Sequence, residues 1–266
     1  MNKVLAFLVL FCVLITGAGA EVKEWQQVRR MYPRESLDGP VSGKTRIPKI
    51  IHQIWLGSPF PEKYRRIQKT WTDRHLDWEY KLWTDKDVAA FGLRNQALYD
   101  RAVNWGQKSD IFRYEILDRF GGLYIDTDFE CVQPFDILHA LFDFYTGIMW
   151  DKPNGPGDKP IIANGLIGSV PGHPILKLCI EKLHFETGDH DNYGIQSSTG
   201  PFFFTEIVLS QFKERAFKNA VFPAAYFYPL PGEERHGIFG EAERAVWVKP
   251  ESFAIHYWEC SWMQPK

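Results

Sequence analysis

Between Ser109 and Asp128 the chain sets down a helix, an enforced stop and a strand in immediate succession. Ile111, Tyr114 and Leu117, joined by Phe112 and Ile116, recur at helical spacing from Ser109 to Phe120. Gly121-Gly122 ends that helix, because glycine takes the left-handed backbone of a C-terminal cap at little cost. Leu123 to Ile125 is then a short strand-like run that leads directly into Asp126-Thr127-Asp128.

The same alternation extends along the chain. Ile50, Ile51, Ile54 and Trp55 form an apolar run that stops at Gly57-Ser58-Pro59, which predicts a buried strand. Glu62 to Trp71 reads as a helix and Trp78 to Trp83 as a second strand; Thr84 with Asp87 three residues on predicts a capped short helix. Strands are also expected at 144–150, 161–163 and 253–257, and helices at 175–184 and 202–215. The sum is an α/β fold with a mostly parallel central sheet flanked by helices. The Gly/Pro-rich stretches 151–160 and 229–240 are long enough to be active-site loops, and no internal repeat is visible.

The N-terminus is of another kind. Lys3 precedes an apolar run from Val4 to Ile15, and Ala18-Gly19-Ala20 supplies the small residues of a cleavage site, so residues 1–20 read as a secretory signal. An uncleaved anchor is the competing reading, since the apolar and small residues together approach the ~20 needed to span a bilayer. Residues 21–46 form a lead-in segment and residues 47–266 the catalytic domain. Without Cys12, the cysteines are Cys131, Cys179 and Cys260, an odd set that cannot all pair. Buried free thiols are favoured over a Cys131 to Cys260 disulfide.

A net charge of -2, with acids and bases intermixed, offers no basic block for nucleic acid. Ten Trp and eleven Tyr suit sugar faces and nucleobases, but they suit cores equally well and decide nothing alone. The sharper feature is the acid pair. In an extended chain Asp126 and Asp128 point one way and Thr127 the other, at the carboxyl end of a strand where α/β sheets bind ligands. Two hard carboxylates on one side suit Mg²⁺ or Mn²⁺ bridged to a diphosphate. The bland alternative is a solvated turn, since Asp-x-Asp is common by chance.

Lys108-Ser109-Asp110 opens the preceding helix, with Arg113 one turn beyond Asp110. A carboxylate and a guanidinium at a helix N-terminus could grip sugar hydroxyls and phosphate together, or form an ordinary surface ion pair. His256 closes the last strand-like segment beside Tyr257 and Trp258. As a third protein ligand its imidazole would shift preference from Mg²⁺ towards Mn²⁺.

The ordered series Ile47 to Trp55, Lys108-Ser109-Asp110 with Arg113-Tyr114, Gly121 to Asp128, and Ala254 to Trp258 with Ser261-Trp262 resembles glycosyltransferase family 32. That family includes fungal outer-chain mannosyltransferases and shares its DXD region with the clostridial glucosylating toxins. The resemblance implies a GT-A fold and a retaining, metal-dependent transfer of a hexose from a UDP- or GDP-sugar to a glycan, lipid or protein hydroxyl. It implies catalytic roles for Asp110, Arg113 and Asn164, and donor contacts from Ile54, Trp55, Lys108, Asp110, Arg113, Asp126 and Trp262. Trp55 would stack on the base, while Asp126, Asp128 and His256 would surround the Mn²⁺ or Mg²⁺ ion. Thr199-Gly200-Pro201 would line the reaction side. With the leader, this implies the secretory pathway, in the Golgi or ER lumen of a eukaryote or exported from a bacterium, near a membrane if the leader stays attached. Rival expectations are a nucleotide-diphosphate phosphohydrolase, a carbohydrate-binding module and a degenerate scaffold.

Overall fold

Apolar runs of four or five residues become strands that are buried on both faces, which is why they read as continuous rather than alternating. In the computed structural model, residues 22–37, 44–153, 158–185, 191–212, 216–234 and 241–261 are described. The expected leader 1–20 and Trp262 lie outside them. The strands are β1 (Ile50–Ile54), β2 (Glu79–Trp83), β3 (Gly122–Ile125), β4 (Phe129–Cys131), β5 (Phe144–Gly147), β6 (Leu166–Ser169), β7 (Asn219–Phe222) and β8 (Ala254–His256).

Six of them form one sheet in the order β2-β1-β3-β6-β5-β7. β1 pairs parallel with β2 and β3, β5 pairs parallel with β7, and β6 alone runs antiparallel to both its neighbours. The largely parallel α/β expectation is met. The strand expected at 161–163 is only an isolated bridge, Ile148 to Ile162. The strand that forms is β6, immediately after the Asn164-Gly165 pair that reads locally as a turn.

The Gly121-Gly122 stop serves two purposes. Both residues have positive φ, 63° and 94°. A side chain on Gly122 would come within 2.6 Å of the Ile50 carbonyl oxygen, so the second glycine also lets β3 close against β1. The Thr84 and Asp87 capping box forms as expected. The helix before β3 starts earlier than Ser109: it spans Trp105–Phe120, and the Asn104 side chain accepts from the Gly106 and Gln107 N–H groups.

The segment 21–46 is more than a lead-in: it contains a helix, Lys23–Arg29, that packs into the main core. Trp25 and Val28, one turn apart, are fully buried, and Trp25 Nε1 donates to the Asp158 carbonyl at 2.8 Å. Cys131, Cys179 and Cys260 are free thiols; burial pushes the first two well above the usual thiol range.

Three buried histidines are fixed as neutral tautomers, because one ring nitrogen of each accepts a hydrogen bond. Trp83 Nε1 donates to His52 Nδ1 at 3.1 Å, leaving Nε2–H for the Gly121 carbonyl at 2.9 Å. Phe135 N–H donates to His75 Nε2, and Ile175 N–H to His173 Nδ1. Burial lowers His52 and His173 to about 4 and lowers His75 as well. With a folded value below the unfolded one, the unfolded chain takes up protons first, so stability present above pH 6.5 is lost as the pH falls towards 4. The His52 share is roughly 3 kcal/mol. Urea unfolding between pH 7 and pH 4 is expected to show a shallower decline in His52→Gln than in wild type by about that amount; equal slopes would refute the assignment.

Candidate active site

The acid pair leaves the sheet at the end of β3, but in a different backbone shape from the extended one anticipated. Residues 126–128 form a turn, closed by Phe129 N–H to the Asp126 carbonyl at 3.3 Å. Thr127 consequently lines the cavity instead of pointing away from it. The two carboxylates still converge, and the reason is long-range. β4 follows the turn and pairs antiparallel with β8, setting Phe129 opposite His256. The imidazole stacks on Phe129 at 4.4 Å between ring centres, and its Nε2 lies 3.2 Å from Asp128 Oδ1. Asp126, Asp128 and His256 each present a ligand atom, all within 4.8 Å of one another.

The donor set of two carboxylate oxygens and an imidazole nitrogen suits a divalent ion with mixed oxygen and nitrogen preference. His256 Nδ1 is buried with no hydrogen-bond partner among the described residues. Asp128 is pulled below the usual carboxylate range: burial pushes upward, but His256 and the Glu259 N–H, which donates to Oδ2 at 2.9 Å, outweigh it. Asp126 moves the other way, raised by burial against the restraint of Arg113. Deep as it is, its side chain keeps 32% of its surface open to the cavity.

Arg113 ties the acids to the helix. Its guanidinium lies 3.0 Å from Asp110 and 3.2 Å from Asp126, donates to the Asn164 carbonyl at 2.8 Å, and sits 4.5 Å over the Tyr124 ring. The ion pair with Asp110 is therefore buried, not a surface pair. Asp110 also accepts from Asn164 Nδ2 at 2.8 Å and from Thr199 Oγ1 at 3.0 Å. Burial raises it to about 6 despite these partners. Because the helix begins at Trp105, Asp110 stands past its first turn, and the helix-dipole argument for this pair falls away.

Asp110, Arg113, Asp126, Asp128, Asn164 and His256 line one cavity of about 740 Å³, together with Ile54 and Trp55. Trp55 is half-buried, with its Nε1 donating to Ser58 and its ring tilted against Tyr64. Lys108 is the exception: its ammonium donates to the Tyr99 carbonyl, and it does not line the cavity. Trp262 lies outside the described residues. The sequence reading missed Tyr124, whose hydroxyl donates to Asp126 at 2.7 Å, although two-residue spacing along a strand pointed to it. It also missed Gly165, where any side chain would come within 2.7 Å of an Asp126 oxygen.

Residues 61–144 match the family described as "Glycosyltransferase sugar-binding region containing DXD motif". Over that stretch the chain is similar to a DXD-containing sugar-binding region. Asp110, Arg113, Asp126 and Asp128 fall inside it, whereas Asn164 and His256 come from later in the chain. Inositol phosphoceramide mannosyltransferase 3 of Schizosaccharomyces pombe is 30% identical over 223 residues, covering 80% of this chain and 60% of that protein. Inositol phosphoceramide mannosyltransferase 2 of the same organism is 35% identical over 167 residues, covering 60% of this chain and 46% of that protein. The chain thus spans about half to three fifths of the length of these relatives. Among solved structures, the PaToxG glycosyltransferase aligns with a TM-score of 0.48 at 17% identity, covering 63% of this chain and 70% of that one.

Proposed function

We propose that this chain is a divalent-cation-dependent hexosyltransferase of GT-A type, moving a sugar from a UDP- or GDP-hexose to a hydroxyl acceptor with retention. One observation carries the proposal: Asp126, Asp128 and His256 converge on one point in the wall of a nucleotide-sized cavity, beside the buried Asp110 and Arg113 pair. Those three residues would hold Mn²⁺ or Mg²⁺, with Mn²⁺ favoured by the imidazole. A bound ion supplies charge neutralisation to the nucleotide diphosphate as the sugar-phosphate bond breaks.

The remaining work falls to the protein. Trp55 offers an aromatic face to the base, and Ile54 backs it at the end of β1. Asp110, held by Arg113, Asn164 and Thr199, is a preorganised acceptor for the hydroxyls of the donor sugar. Arg113 holds Asp110 and Asp126 in a fixed relation, so the sugar and the diphosphate are aligned by one side chain. No side chain is assigned as general base, and the leaving phosphate takes the proton of the acceptor.

The two inositol phosphoceramide mannosyltransferases make mannose the first sugar to try and an inositol-phosphate lipid headgroup the first acceptor. A luminal site in the secretory pathway fits the leader at 1–20, read as a cleaved signal or an anchor; among the described residues no helix is long and apolar enough to cross a membrane. Incubation of the full chain with a panel of UDP- and GDP-hexoses plus Mn²⁺ is expected to release free nucleotide from one donor and to form an α-linked product from an α-linked donor. Nucleotide release that EDTA leaves untouched would defeat the metal assignment. Sugar binding without nucleotide binding would mark a lectin, and phosphate release without sugar transfer a phosphohydrolase.

A further inference from the structure

Among the described residues that line the cavity, the Lys and Arg side chains are Lys63 and Arg113. Arg113 is committed to two carboxylates. Lys63 is placed differently. Its side chain is 53% exposed, its Nζ lies 2.5 Å from Glu259 Oε2, and it sits 4.8 Å over the Tyr64 ring. The Glu259 N–H donates to Asp128 Oδ2, so the ammonium stands two hydrogen bonds away from a proposed cation ligand.

Glu259 is held in place against backbone cost. Its neighbours Trp258 and Cys260 have φ of 53° and 44°, a region that costs non-glycine residues on the order of 1–3 kcal/mol each. The segment is pinned by Trp258 Nε1 donating to the Leu230 carbonyl at 2.8 Å and by the Glu259 contact with Asp128. A carboxylate is thereby presented to Lys63, which among the described lining residues is the cation that the catalytic acids leave uncommitted.

We propose that Lys63 is a phosphate-binding residue of the donor site, and that Glu259 occupies its ammonium until a nucleoside diphosphate arrives. The proposal rests on the nucleotide-sugar reading of the same cavity. A nucleoside diphosphate carries more negative charge than one divalent ion cancels, and the Arg113 guanidinium is already engaged by Asp110, Asp126 and the Ser109 and Asn164 carbonyls. Lys63 is open to solvent although the Glu259 side chain is only 18% exposed, and an ion pair with one solvent-exposed member is worth about 1 kcal/mol, so the ammonium transfers to phosphate at little expense. Lys63 has the compact charge and rotatable donors that such an exchange needs.

Calorimetric titration of the full chain with GDP and with UDP in Mn²⁺, alongside guanosine and uridine, tests this. Lys63→Met is expected to weaken binding of the preferred diphosphate about 10- to 100-fold while leaving the matching nucleoside unchanged. Lys63→Arg is expected to stay within about threefold of wild type, and Glu259→Gln to bind the diphosphate about three- to tenfold more tightly, because the competing anion is gone. Undiminished diphosphate affinity in Lys63→Met overturns the inference and leaves the transferase reading standing. Equal loss for nucleoside and diphosphate overturns it too, as the mark of a merely structural role. If wild type binds neither GDP nor UDP, the nucleotide-sugar reading fails and this inference fails with it.

Discussion

Asp128→Asn is expected to lower Mn²⁺-dependent sugar transfer by about 10²- to 10³-fold, a loss of roughly 3–4 kcal/mol of transition-state stabilisation. The substitution is nearly isosteric. Asparagine keeps an oxygen for the Glu259 N–H and leaves the turn closed by Phe129 in place. What disappears is one of the two negative charges facing His256 and the proposed ion. Folding should hardly change, because the substitution strands no buried charge, and thermal midpoints of the two proteins should agree to within a few degrees. The Mn²⁺ concentration for half-maximal activity should rise as well. Turnover unaltered by the substitution, at the same Mn²⁺ requirement, would remove Asp128 from the metal site.

The parts of this molecule that were legible in the sequence are those whose signals are local. The Gly121-Gly122 stop, the Thr84 and Asp87 cap, the apolar runs of β1 and β3 and the strand β2 each arise within a few residues, and each element stands where it was expected. Convergence of Asp126 and Asp128 was legible for a partly mistaken reason. Strand alternation was expected to align them, whereas a turn and the distant β8 do so. β6 escaped because Asn164-Gly165 reads as a turn, and nothing local shows that the next four residues insert antiparallel between β3 and β5. Asn104 escaped because the helix was read as opening at Lys108-Ser109-Asp110, whereas it already begins at Trp105. The Lys63 contact with Glu259 joins residues almost two hundred positions apart, and no periodicity reports such a pair. Local chemistry therefore named most of the carboxylates and cations in the cavity, while tertiary register decided which of them meet.

That division is sharpest at Arg113, whose partners come from its own helix, from the β3 turn and from the loop before β6. Arg113→Met is expected to destabilise the fold by about 3–5 kcal/mol, the usual effect of removing one member of a buried ion cluster. For a domain of this size that corresponds to a fall in thermal midpoint of about 6–20 °C. The open edge of Asp126 lets water reach part of the cluster, so the lower half of that range is favoured. Removing the second charge should reverse part of the effect: Arg113→Met with Asp110→Asn should be more stable than Arg113→Met alone, because the neutral amide needs no counter-charge. The pH dependence has a definite sign. Asp110 has a folded value raised to about 6, so it is ionised at pH 8 and protonated at pH 5. The stability gap between wild type and Arg113→Met should therefore be wider at pH 8 than at pH 5. Denaturant midpoints for the three proteins at both pH values check all of this, and a gap that is absent, or that widens in acid, would show that Arg113 does not neutralise Asp110.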